Sequence, residues 1–117
     1  MTEIIRPVNS HQAYHAHVYL EQKTLSLATS LCERAGERFG VRVGRVHQKK
    51  VGPHPKWSCQ LTFGAEHFDS LVPWLESNRE GLSILIHALT GNDLKDHTTY
   101  AYWLGDGLEL DLSMFDG

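Results

Sequence analysis

The stretch Tyr14-His15-Ala16-His17-Val18-Tyr19-Leu20 reads as a β-strand whose two faces differ in chemistry. Side chains alternate along a strand, so His15 and His17 point the same way, together with Ala13 and Tyr19. Ala16, Val18 and Leu20 form the opposite, apolar face, suited to packing on helices. A chain built around this strand must bury one side of it and keep the other for chemistry.

The remaining periodicities supply partners for that strand. Residues 24–39 carry Leu25, Ala28, Leu31, Cys32, Ala35 and Phe39 at helical spacing, with Gly40 placed to end the helix. Residues 41–47 return to β-branched side chains, and Gly44 would weaken a helix there, so a second strand is predicted. A turn over 48–55 follows, because Gly52, Pro53 and Pro55 do not fit a regular ladder. In residues 57–63, Trp57, Cys59, Leu61 and Phe63 alternate with Ser58, Gln60 and Thr62, a half-buried third strand. Phe68, Leu71, Val72 and Leu75 predict a second helix over 66–79, in which Pro73 either falls in the first turn of a helix starting near Ser70 or bends the helix. Residues 82–87 form a fourth strand, with Leu82, Ile84 and Ile86 on the core side and Ser83, Leu85 and His87 on the other. Beyond it come a turn at residues 90–93, a short helix or strand over 100–104, and an alternating fifth strand over 108–112.

This βαββαβ order with an extra C-terminal strand predicts an α+β sandwich of ferredoxin-like type, with an antiparallel sheet, two helices on one face and the other face open. The first and third strands are then central and the fourth lies at the edge, beside the first. An open face of this kind is covered by the chain's own tail or by a second copy, so a homodimer is expected.

The 117 residues are one domain's worth, beginning with a polar, loosely held arm over residues 1–12 in which His11 is read as solvated. A hydrophobic fraction of 41%, a charged fraction of 21% and a mean hydropathy of −0.33 are those of an ordinary globular chain without a membrane span. The first ten residues lack the apolar core of a signal peptide, so a cytoplasmic address is expected. Cys32 and Cys59 have neither CxxC spacing nor a disulfide framework around them and read as buried thiols. A formal charge of −3 argues against nucleic acid as a partner, and Arg42, Arg45, Lys49 and Lys50 read as a solvated edge.

Histidine is the residue type that points to a site: eight are present, and His15, His17, His47, His54, His87 and His97 fall in or beside strands and turns. One such imidazole is most simply a core-edge side chain bonded to a carbonyl. Several buried on one face without a shared ion or substrate would lose hydration for little return. Three imidazoles, or two with a carboxylate from Asp93 or Asp96, suit a first-row metal and leave positions free for substrate, although turn capping explains both aspartates at least as well. His47 alone reads as a solvated strand end and His67 as a surface residue without a role, while for His54, held between Pro53 and Pro55, rigid presentation to a pocket and simple turn packing compete evenly.

The strand Tyr14-His15-Ala16-His17-Val18-Tyr19, the turn Val51-Gly52-Pro53-His54-Pro55, Trp74-Leu75 with Asn78-Arg79, and His87 followed by Asp96-His97-Thr98 together resemble the DOPA 4,5-dioxygenase family over residues 14–105. Lys50 before Val51 and Ala88 after His87 stand where proline is usual. The resemblance implies a ferredoxin-like, often dimeric protein that opens the ring of a catechol such as DOPA, using non-haem Fe(II), or another divalent metal, and dioxygen. In that setting His17 and His87 are the leading metal ligands, with His15 or His54 completing the set. His97 and His54 are the candidate acid/base residues, and Arg79, His47 and Tyr19 the candidate substrate contacts, with Trp57 and Trp103 as further aromatic walls. A helix-end charge is the simpler role for Arg79. The competing reading is a non-catalytic dimeric ferredoxin-like module that binds a small aromatic ligand or a metal.

Overall fold

Strand β1 (Ala13–Leu20) lies at the centre of a five-stranded antiparallel sheet in a computed structural model that describes residues 9–115. After a 3-10 turn at Gln22–Thr24, helix α1 (Leu25–Phe39) leads into β2 (Arg42–His47). Strand β3 (Trp57–Gly64), helix α2 (Ala65–Asn78), β4 (Ile84–Ala88), the single turn α3 (Asp93–Asp96) and β5 (Ala101–Leu104) follow. The strand order is β2-β3-β1-β4-β5, the ferredoxin-like arrangement with one strand added beside β4. Gly40 ends α1 at φ 70°, a left-handed conformation that glycine adopts without the crowding of a Cβ, and its N–H donates to the Gly36 carbonyl.

One apolar layer joins sheet and helices. Ala16, Val18, Ile84 and Ile86 from the sheet meet Ala28, Leu31 and Ala35 of α1 and Leu71 and Leu75 of α2 in a single buried cluster that excludes His17. Cys32 and Cys59 are free, buried thiols within it. Truncating Ile86, which has no exposed surface, to Ala should cost about 2–5 kcal/mol in urea denaturation through lost burial and an unfilled cavity. The histidine-bearing face lies on the other side of β4 and should be left undisturbed.

Four local expectations need correction. Helix α2 begins at Ala65 rather than near Ser70 and continues to Asn78 with Pro73 inside it; the proline ring is exposed, so the carbonyl that loses its intrahelical donor can turn to water. The added strand is Ala101–Leu104, paired to β4 as Ile84↔Leu104 through His87↔Ala101, which makes β4 interior. Residues 108–112 keep their alternation without a ladder, because β5 already fills the edge of β4; their link to the turn before β3 is Asp111 N–H donating to the Pro53 carbonyl. Finally, residues 9–12 of the expected arm are tied down, Asn9 donating to the Ala65 carbonyl and Ala65 N–H to that of Gln12, and half-buried His11 packs on Tyr100. The first eight residues of that arm lie outside the described residues. Among the described residues, no helix is long and apolar enough to cross a membrane.

Candidate metal centre

Strand register decides which side chains meet on the open face. His15 pairs with Thr62 of β3 and His87 of β4, and His17 with Gln60 and Leu85. Tyr19 pairs with Ser58, which pairs in turn with His47 at the end of β2. Cross-strand partners share a face, so His15, His17, Tyr19, His47, Gln60 and His87 all point away from the helices. The positions follow from alternation alone once the strand order is fixed.

On this face His15, His17 and His87 converge, each offering a ring nitrogen, with these atoms all within 4.8 Å of one another. His17 Nε2 and His87 Nε2 lie 2.9 Å apart. Two nitrogens ~2.1 Å from a shared ion and at a right angle would be separated by ~3.0 Å, so this spacing suits neighbouring ligands. His87 donates its Nδ1 proton to the Ala88 carbonyl at 2.8 Å, which leaves Nε2 bare and directed at His17. The donor set, all imidazole, fits a first-row divalent metal. Among the described residues no carboxylate joins this cluster: buried Asp96 accepts from Thr90 N–H and Thr90 Oγ1 at 2.9 and 2.6 Å, and Asp93 is exposed.

Two more imidazoles flank the three. His54 is presented by the turn in which Gly52, at φ 53°, allows His54 N–H to donate to the Val51 carbonyl. Its ring lies 4.1 Å from that of His17, and its Nδ1 is 2.7 Å from the Tyr19 hydroxyl. His97 follows α3, donates from Nδ1 to the Asp93 carbonyl at 2.8 Å, and lies 4.2 Å from the ring of His87. Tyr19 stacks on Trp103, and Phe115, in the 3-10 turn Ser113–Phe115, stacks on His97. The tail thus folds back over the face that the sequence left to a tail or a second copy.

The other predicted contacts separate by position. Half-buried His47 stands on the open face at the sheet's edge. Arg79 is held at the opposite end of β4 from His87, its guanidinium beside Glu76 and reaching the Leu82 carbonyl; the structure does not bring it to the imidazoles. Trp57 packs on the apolar layer and walls no part of this face. Gln60 was passed over in the sequence as one polar residue of an alternating strand, yet its amide Nε2 is 3.3 Å from His15 Nε2. The pin between Asp96 and Thr90 and the cover by Phe115 were also missed. Asp96 resembled an ordinary turn cap, and nothing in the sequence signalled Phe115.

Burial sets the electrostatics. Removal from water is the first cause that lowers His17 well below the ordinary histidine value and pushes His54 and His87 down to about 4; neighbouring imidazoles add to the shifts. His15, less enclosed, is lowered for the same first reason. All four are therefore neutral, as ligation requires, near pH 7. The unfolded chain takes up protons at these histidines from pH ~6.5 downward while the folded chain does not. Stability fully present above that value should therefore fall as pH drops toward ~4, by about 1–2 kcal/mol for each of His54 and His87 once solvent screening is discounted. Urea denaturation of metal-free protein at pH 7.5, 6 and 5 measures this; a flat profile would contradict it.

Comparisons with known proteins bear on the fold and the family. The sequence profile of the Dopa 4,5-dioxygenase family matches residues 14–114, which brings the tail beyond residue 105 within the likeness. An uncharacterised 21.2 kDa protein of Botryotinia fuckeliana is 35% identical over 114 residues, covering 87% of this chain and 62% of its own length. A DOPA 4,5-dioxygenase of Amanita muscaria is 31% identical over 109 residues, covering 86% of this chain and 48% of its own length. The chain thus spans less than two thirds of either curated relative. A crystal structure from Nostoc punctiforme, described as a candidate dioxygenase, superposes with a TM-score of 0.84 at 44% identity, covering 87% of this chain and 89% of that one. With the five-stranded sheet, the histidine-bearing central strand and a profile match across nearly all of the described residues, the chain belongs to the Dopa 4,5-dioxygenase family.

Proposed function

We propose that this protein is an extradiol dioxygenase that opens the ring of a catechol, with His15, His17 and His87 holding a divalent metal, Fe(II) in the first instance. The observation that carries the reading is the convergence of these three imidazoles on one sheet face, with two more beside them, in a chain of this family. The relative from Amanita muscaria bears the name DOPA 4,5-dioxygenase, which makes DOPA the first catechol to test.

The reaction inserts both atoms of dioxygen: the O–O bond and one ring C–C bond beside a hydroxyl-bearing carbon break, two C–O bonds form, and the ring supplies the electrons. A bound metal would contribute Lewis acidity toward the catechol oxygens and a path for electrons to dioxygen. The protein's own residues must desolvate, orient and move protons. His97 and His54 are placed beside the ligands to take a proton from a catechol hydroxyl and to return one. Trp103, backed by buried Tyr19, and Phe115 offer aromatic surface for the ring, and His47 a polar contact at the edge. Arg79 could serve a substrate carboxylate only by leaving Glu76 and Leu82. The partner in this reading is a small catechol, with no nucleic acid or membrane; a homodimer remains part of the proposal, although the chain's own tail already lies over the imidazole face.

Anaerobic reconstitution with Fe(II), then oxygen uptake with a catechol panel including DOPA, tests it. Stoichiometric uptake with appearance of a yellow semialdehyde is the expected result. Tight metal binding with every catechol left intact would instead favour a binding module.

A further inference from the structure

We propose that Tyr19 and the Asp93 carbonyl hold His54 and His97 in opposite tautomers, so that His54 presents an Nε2–H donor and His97 a bare Nε2 acceptor beside the three-imidazole centre. The protonation patterns follow from hydrogen bonding within the chain; their catalytic meaning rests on the dioxygenase reading above.

Tyr19 is 2% exposed, and its hydroxyl has one hydrogen-bond partner among the described residues, His54 Nδ1 at 2.7 Å. A phenol carries its proton near pH 7, and one buried there has to be donated. If His54 carried its proton on Nδ1, two donors would face each other or the phenol proton would be left unsatisfied. His54 therefore accepts at Nδ1 and, as a neutral ring, carries its proton on Nε2. His97 is held the other way: the Asp93 carbonyl, 2.8 Å from its Nδ1, can only accept, so Nδ1 carries the proton and the neutral ring leaves Nε2 bare.

Neither Nε2 has a protein partner among the described residues, and neither is a sealed, unsatisfied buried atom, so both reach space that a ligand or water can occupy. The ring centroids of His54 and His97 stand 6.4 Å apart, one against His17 and the other against His87. A catechol bound at the metal would thus meet one hydrogen-bond donor and one proton acceptor. His97 Nε2 takes the hydroxyl proton and becomes imidazolium, with Nδ1–H still on the Asp93 carbonyl. His54 Nε2–H donates to the oxygen on which negative charge develops. Tyr19 acts through His54 as a positioning residue.

The test begins with metal-free, full-length protein labelled with 15N-histidine and long-range 1H–15N correlation spectra near pH 7.5. His54 should show a pyridine-type Nδ1 and a pyrrole-type Nε2, and His97 the reverse. Tyr19→Phe keeps the ring that stacks on Trp103 and removes only the hydroxyl; it should shift the His54 nitrogens and leave those of His97 in place. In the iron-loaded protein the same variant should lower kcat about 10-fold or more while KM for the catechol stays within about twofold. A proton on His54 Nδ1, the same tautomer at both rings, or His54 resonances unmoved by Tyr19→Phe would overturn the inference. Opposite tautomers in a protein that consumes no oxygen with any catechol would uphold the hydrogen-bonding assignment and sink the dioxygenase reading.

Discussion

His17→Ala and His87→Ala are each expected to lower Fe(II) affinity ~10-fold or more and to abolish most catechol-dependent oxygen uptake, while the chain still folds. The two Nε2 atoms lie 2.9 Å apart, so removing either takes away half of a close donor pair. Both side chains are buried, His17 at 5% and His87 at 2% exposure, yet neither belongs to the apolar layer between sheet and helices. Truncation therefore opens space on the imidazole face and leaves one ring nitrogen without its partner, at a cost of about 1–3 kcal/mol. Ile86→Ala makes the control, since it damages the opposite face of the same strand. Metal titration with circular dichroism of each variant separates the outcomes: an unfolded His17→Ala, or one retaining stoichiometric iron and full uptake, would remove the basis for the proposed centre.

Where sequence reasoning succeeded and where it stopped both trace to what periodicity encodes. Alternation along residues 13–20 and 82–87 separates Ala16, Val18, Ile84 and Ile86 from His15, His17 and His87, and strand order then sets His15 opposite His87. The convergence was therefore legible before any coordinates. Periodicity says nothing about whether an extended segment finds a partner, which is why Leu108, Leu110 and Leu112 read as a strand when β5 had already taken the edge. Side-chain pairing across distant segments is equally silent: the bond between Tyr19 and His54 joins residues 35 apart. Composition likewise could not tell the Asp96 pin on Thr90 from a surface turn. Pro73 shows the converse limit, a strong local rule overridden because apolar anchors on both sides of it, Phe68, Leu71, Val72 and Leu75, hold the helix to the sheet.

His97→Ala should separate chemistry from metal binding, leaving iron stoichiometry unchanged and slowing turnover ~10²-fold or more if His97 takes the catechol proton. The ring is not among the three converging donors, yet it packs 4.2 Å from His87 and 4.8 Å from Phe115, between the centre and the tail that covers it. Its loss therefore threatens proton transfer and water exclusion together, and the two have to be told apart. Phe115→Ala removes the cover alone; it should raise KM while changing kcat by less than about threefold, because the hydrogen bond from His97 Nδ1 to Asp93 survives. Asp96→Ala frees Thr90 and the turn that carries His97 without touching the ring itself, so it should lower kcat by an amount between the other two. Steady-state oxygen uptake across the three variants, normalised to bound iron, gives the order His97→Ala below Asp96→Ala below Phe115→Ala in kcat. If His97→Ala instead lost its iron, the imidazole would be a ligand, and the division between three donors and two flanking rings would have to be redrawn.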